Sequence, residues 1–307
     1  MKRRLAIAVA LTAVFVAGCA PSNSTAPTTT PPSATAMPSQ PPTTTEPNRS
    51  VTYSAQVELP FGDFINHPAG LAVDGASNVY VLDSKYGQVW KQAAGTNRPR
   101  TLGFEQIGPV TNVAVDKAGN LYVTDGFHQR LMKLIPGVSN PTMLPTFNEL
   151  QIFGVAVDTD GNLYAADGGA NRVLKLTPGA SGPTVLPFGD LNRLSDVAVD
   201  TGGNVYVADT GAKKVLKLAT GASTPTVLPF GDLRTPVGVA VDTDGTVYVT
   251  DHNTNRVLKL PAGADSPSVL PFADLKGPSN VAVDKSGAVY VLDELNFRVL
   301  KLPVRRS

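Results

Sequence analysis

From residue 51 onward the apolar residues fall in short runs, rich in Val, Leu and Tyr and bounded by Gly, Asp, Asn and Pro. Runs of this length and composition read as β-strands. In VAVDTGGNVYVADTGAKKVLKL (197–218), Val197-Ala198-Val199, Val205 to Ala208 and Val215 to Leu218 make three strands, and Thr226 to Leu228 supplies a fourth. Between the first two, Asp200 opens a hairpin turn, Gly203 or its neighbour takes the positive-φ position, and Asn204 leads out. No stretch combines a helical period with a useful length, so the folded part is expected to be all-β.

The pattern recurs every 42 residues. Asp74, Asp116, Asp158, Asp200, Asp242 and Asp284 are in phase, and so are Asp83, Asp125, Asp167, Asp209, Asp251 and Asp293. Six tyrosines (Tyr80, Tyr122, Tyr164, Tyr206, Tyr248, Tyr290) and six lysines (Lys91, Lys133, Lys175, Lys217, Lys259, Lys301) keep the same spacing. A four-stranded sheet with two apolar faces cannot stand alone. Stacking six of them around an axis covers both faces, which predicts a six-bladed β-propeller over residues 51–307. Alanine at the centre of each innermost strand (Ala72, Ala114, Ala156, Ala198, Ala240, Ala282) suits the crowded middle. The tyrosines are expected between blades, with their hydroxyls on polar partners. The last copy ends after its third strand at Leu302, while LPFGDF at 59–64 matches LPFGDL at 186–191 and 228–233. An N-terminal strand within Val51 to Phe61 is therefore expected to complete the last blade and close the ring.

Acids that recur with their surroundings read as scaffold, because repeated blades need repeated turn chemistry while a catalytic group is needed once per site. Asp74 and its equivalents are expected to cap the first hairpin turn. Asp83 and its equivalents begin a loop in which Arg172, Lys214, Arg256 or Arg298 stands ready to pair with them. The sharper reading of these acids is a ring of carboxylates near the axis that binds a cation such as calcium.

The units GVAVDTDGTVYVTDHNTNRVLKLPAG (238–263) and PTVLPFGDL (183–191, 225–233) resemble NHL repeats. They look most like the extracellular sensor domains of actinobacterial receptor serine/threonine kinases of the D type. That resemblance implies a six-bladed propeller outside the cell that binds something. It does not carry kinase activity with it, since no glycine-rich phosphate loop and no HRD or DFG motif is present.

The chain has 307 residues with 26 basic and 25 acidic side chains, so charge gives no reason to expect nucleic acid as a partner. Its single cysteine, Cys19, excludes an intrachain disulfide. Lys2, Arg3 and Arg4 precede an apolar stretch from Leu5 to Ala17, which reads as an export signal over residues 1–18. Val16-Ala17-Gly18-Cys19 resembles the lipobox of bacterial lipoproteins, in which the cysteine is lipidated and becomes the first mature residue. Loss of residues 1–18 leaves 23 basic against 25 acidic side chains. The Pro-, Ser- and Thr-rich segment 19–50 is expected to be an extended, solvated tether. The implied localisation is the extracytoplasmic face of the cell membrane.

Function is expected where the repeat varies. The loops entering each first strand and those joining second to third strands share one face of a propeller. Here they carry His67, Tyr86, Phe127, His128, Phe153, Arg193, Lys213, Arg234, His252, Glu294 and Phe297. Tyr86, Phe127, Phe153 and Phe297 come from blades 1, 2, 3 and 6, whereas Arg193, Lys213, Arg234 and His252 come from blades 4 and 5. The ligand-binding face is thus expected to be aromatic on one side and basic-polar on the other, suiting a protein, peptide or glycan of the envelope. A metal-dependent lyase or lactonase-like enzyme on the same fold is the alternative. It rests on His67, His128 and His252 sharing that face, yet no HxxxH spacing links them and no GxSxG elbow occurs. The sequence reading is a monomeric, non-enzymatic binding module without metal or cofactor.

Overall fold

Four antiparallel strands make each blade. In blade 4 they are Leu194–Val199, Val205–Asp209, Lys214–Leu218 and Thr226–Val227, paired in that order. This computed structural model describes residues 51–62, 64–102, 110–138, 140–147 and 150–305. The signal segment 1–18, Cys19 and the tether 19–50 lie outside the described residues. Six four-stranded sheets of the same pattern follow one another. The first strand of each blade touches those of both neighbours, and the first strand of blade 6 touches that of blade 1. The result is a closed six-bladed β-propeller.

Closure is made by the N-terminal segment. Val57–Glu58 is the outer strand of blade 6, with Val57 opposite Lys301 and Glu58 opposite Leu300. Around it, Ser54 N–H donates to the Pro303 carbonyl at 2.8 Å, Leu59 N–H to Val299 at 2.9 Å, and Arg305 N–H to Thr52 at 2.8 Å. Phe61, fully buried, then packs between blade 6 and blade 1.

The recurrent residues build the blade. Asp200 Oδ1 accepts from the N–H groups of Gly202 and Asn204 at 2.9 Å each, while Gly203 holds φ at 77°. Asp200 Oδ2 accepts from Asn204 Nδ2 at 2.7 Å and from the Tyr206 hydroxyl at 2.9 Å. Burial works to raise the Asp200 pKa, but the bonds from Asn204 and Tyr206 outweigh it and hold the carboxyl below its ordinary value. Tyr206 packs against Val239, Val247 and Val249 of the next blade, and Lys217 Nζ sits 5.3 Å from its ring centroid. The same tyrosine–aspartate bond recurs in all six blades. The first aspartates thus cap and bind their own hairpins, not a shared ion on the axis.

One boundary differs from the sequence reading. The first strand begins at Leu194, not Val197, because a bulge interrupts the pairing between Leu194 and Asp196. An equivalent irregularity falls at the same place in every blade. A bulge bends its strand and re-aims the side chains on it. In this ring the re-aimed residues face the axis.

Candidate functional site: a funnel on the loop face

The second aspartates tie together the two loop sets that form this face. Asp83 accepts from the N–H groups of Asn66 and His67, which enter the first strand of blade 1, and from Lys85 N–H in the loop between its second and third strands. Asp251 does the same with Arg234 and Thr235, and Asp293 with Lys276. Arginine completes the arrangement: Arg130, Arg172 and Arg298 each place Nε within 2.9 Å of their aspartate. Lys214, expected to pair with Asp209, does not. Among the described residues Asp209 Oδ2 is buried without a partner. Arginine spreads five N–H donors over a planar fork, of which Arg256 uses a terminal one to reach Asp251 at 3.0 Å, whereas lysine has a single terminal ammonium.

Held this way, the loops surround a cavity of about 720 Å³. Its rim is formed by His67, Phe153, Arg193, Glu294, Leu295 and Phe297, with Ser84, Thr210 and Thr235 among the residues below. Phe297 and His67 meet edge to face, their centroids 6.0 Å apart. The Phe153 ring crosses Gly168 so closely that a Cβ at Gly168 would overlap it. Arg193 and Phe297 have φ of 55° and 51°, left-handed values that cost a bulky L-residue about 1–2 kcal/mol. The value at Phe297 recurs at the equivalent turn position of every blade, Gly87, Gln129, Asn171, Lys213 and Asn255, so it belongs to the scaffold.

The floor obeys a rule of its own. The bulge pair reads Ala69-Gly70, Thr111-Asn112, Phe153-Gly154, Ser195-Asp196, Val237-Gly238 and Ser279-Asn280. Polar pairs in the even blades alternate with apolar-glycine pairs in the odd ones. Asn112, Asp196 and Asn280 stand where the funnel narrows into an axial channel of about 170 Å³, and they line both spaces. The glycines make room for them: a Cβ on Gly154 would lie 2.5 Å from Asp196 Oδ1.

The polar members differ in how well they are satisfied. Asn112 Nδ2 reaches across blade 3 to donate to Asp196 Oδ1 at 3.0 Å, and Val239 N–H donates to Asp196 Oδ2 at 3.0 Å. Thr111 donates to the Ile152 carbonyl at 3.1 Å, Ser195 to Val237 at 2.8 Å and Thr210 to Pro236 at 2.6 Å, each stapling a blade to the next. Burial pushes the Asp196 carboxyl up to about 7 in spite of its hydrogen bonds. In blade 6, Ser279 Oγ is buried without a partner among the described residues. The Asn280 side chain, 7% exposed, makes no hydrogen bond among the described residues.

Of the residues expected on the ligand-binding face, Phe153, Arg193 and Phe297 line the funnel, joined by His67 and Glu294. Tyr86, Phe127, His128, Lys213, Arg234 and His252 do not line it. Tyr86 and Phe127 project outward, 54% and 70% exposed. Aromatic and basic residues, Phe153, Phe297 and Arg193, line the same cavity. The three histidines part company as well. His67 stays at the rim, His128 Nδ1 lies 2.8 Å from Asp125, and His252 Nδ1 is buried without a partner among the described residues. No group of three or more His, Cys, Asp or Glu side chains suited to a metal occurs among the described residues. Sequence reasoning missed Asn112, Asp196, Ser279 and Asn280. The signal was the alternation of glycine with Asn or Asp just before each recurrent Val-Ala-Val or Leu-Ala-Val run.

Residues 191–218 and 233–260 match the NHL repeat family. No curated protein matches the chain. Solved structures share the propeller at low identity. A streptogramin B lyase is 14% identical with a TM-score of 0.64, covering 84% of this chain and 100% of its own. A gluconolactonase from Xanthomonas campestris is 14% identical with a TM-score of 0.69, covering 81% of this chain and 89% of its own. A chain of a nidogen/laminin complex is 19% identical with a TM-score of 0.63, covering 70% of this chain and 84% of its own. At these identities the likeness shows the fold alone. It also overturns the expectation of a non-enzymatic protein, because the fold is shared with enzymes as well as with a binding complex. That expectation leaned on missing local motifs, whereas a propeller assembles a site from single residues on separate blades and needs no motif.

Proposed function

We propose that this chain is a lipid-anchored, extracytoplasmic binding module whose ligand enters the funnel on the loop face of the propeller. One observation carries the reading: a cavity of about 720 Å³ closes on buried polar side chains at the axis of a rigid ring. Its size lies in the range of small-molecule sites, and its apolar rim over a few convergent polar groups is what such sites require. The occupant is a small ligand, or the protruding end of an envelope glycan or peptide. The basic n-region, apolar stretch and Cys19 support the anchor and the location.

The test is ligand-observed NMR of the purified protein against a chemically mixed fragment set, repeated with Phe153→Ala and Arg193→Glu. Fragments should bind the native protein and lose affinity in both variants, with Tyr86→Ala unchanged. Equal binding by all four proteins would place recognition elsewhere. Fragments that bind are then followed for chemical conversion, since the fold hosts both binding and catalysis.

A further inference from the structure

We infer that the floor of the funnel is a subsite for a neutral, hydroxyl-rich ring of the pyranose type, recognised through Ser279 and Asn280 of blade 6. This deepens the proposed function and rests on it. The argument starts from hydrogen-bond accounting. Buried polar groups in folded proteins are almost always paired, so one without a partner calls for an explanation. In blades 2 and 4 the bulge residues are spent on the protein itself: Thr111 and Ser195 on carbonyls of the next blade, Asn112 and Asp196 on each other. Blade 6 has the same residue types at the same places and spends none of their side chains. Among the described residues Ser279 Oγ is buried without a partner, and the amide of Asn280, a residue 7% exposed with two donors and an acceptor, makes no side-chain hydrogen bond. Both line the cavity.

The surroundings select the ligand. Ala69, Phe153 and Val237 place apolar walls between the polar sectors, with the Phe297 ring at the rim. A pyranose has the matching form, with C–H faces that lie against apolar and aromatic walls and an equatorial edge of hydroxyls that both donate and accept. Asn280 is neutral and both donates and accepts, which a ring hydroxyl, itself donor and acceptor, matches.

The full chain is titrated with glucose, galactose, mannose and N-acetylglucosamine, with N-acetylglycinamide as an amide probe and acetate as an anion. Saturation-transfer NMR and shifts of Phe153 and Phe297 ring resonances are the readouts. At least one sugar should bind, and Asn280→Ala should weaken it by about five-fold or more, the scale of a lost hydrogen bond to a buried partner. The melting temperature should hold to within a few degrees, because the Asn280 side chain makes no hydrogen bond among the described residues. Sugar binding that is indifferent to Asn280→Ala overturns the inference. So does a funnel that shifts with the amide or the anion and not with the sugars, which leaves the proposed function standing. If no probe shifts a funnel resonance, both fall.

Discussion

Phe61 tests whether the N-terminal segment closes the ring or merely lies against it. Its side chain is fully buried among Ile65, Leu71, Val79 and Val81 of blade 1 and Ala288, Tyr290, Leu292 and Val299 of blade 6. Truncating a buried phenylalanine costs about 3–5 kcal/mol, from lost transfer energy and the cavity left behind. For a domain of this size each kcal/mol lowers the melting midpoint by about 2–4 °C, so Phe61→Ala should fall by about 6–20 °C. Phe188, 4% exposed between blades inside the array, occupies the corresponding place in its own repeat and supplies the control. If closure is structural, Phe61→Ala and Phe188→Ala lose comparable stability. The chain's single tryptophan, Trp90, packs on the Phe61 cluster, and the Phe64 ring lies 5.1 Å away. Urea unfolding followed by its fluorescence therefore watches the junction, while far-ultraviolet circular dichroism watches all six blades. The two curves should coincide in every variant, as one cooperative unit requires. A loss below about 1 kcal/mol for Phe61→Ala, or a fluorescence transition preceding the dichroism transition, would refute closure by this segment.

Phe297 holds a left-handed backbone where the equivalent positions of blades 3 and 5 carry Asn171 and Asn255 at φ of 49° and 54°. Asn tolerates that conformation better, so Phe297→Asn should raise unfolding stability by about 1 kcal/mol while weakening funnel binding; calorimetry and the fragment titration read the two effects. Asp196 gives a pH signature. Its folded pKa, about 7, lies above the unfolded value of about 3.9, so its contribution to stability is fully present below pH 3.9 and is lost as pH rises through 7. Wild-type unfolding free energy should carry a decline of about 2–4 kcal/mol between pH 4 and 8 that Asp196→Asn lacks; parallel pH profiles would show that Asp196 does not titrate there.

Positions that face the same demand six times were the legible ones. The Asp200-type cap, the glycine at the turn and the interblade tyrosine each follow from one local rule, and repetition removes the ambiguity of any single instance. Closure was legible because LPFGDF at 59–64 belongs to a repeat whose other parts lie at the far end of the chain. The floor was not. Strands were recognised by apolar runs, so Ser195 and Asp196 fell outside a strand whose bulge lets it carry polar side chains. The hydrogen bond from Asn112 to Asp196 joins residues 84 apart. That is two repeats, a relation that exists only once the ring has brought alternate blades to a common axis. Lys214 failed for a smaller reason, since charge alone was matched and the shape of the donor group was not.

The alternation at the floor follows from crowding. First strands converge on the axis, and a side chain projecting there passes in front of its neighbour's backbone. Gly154 shows the limit, because a Cβ on it would also lie 2.7 Å from the Asp196 Cα. Gly70 and Gly238 stand in the same relation to Asn112 and Asn280, their Cβ positions 2.9 Å from the neighbouring Cα atoms. Not every blade can therefore present a side chain at this level; one in two can. A sixfold scaffold thereby presents a threefold set of polar side chains, and the three are free to differ. Asn112 and Asp196 bond to each other, while Asn280 makes no side-chain hydrogen bond among the described residues. The contrast between a satisfied pair and an unsatisfied residue gives a ring of near-identical blades a floor with a single orientation.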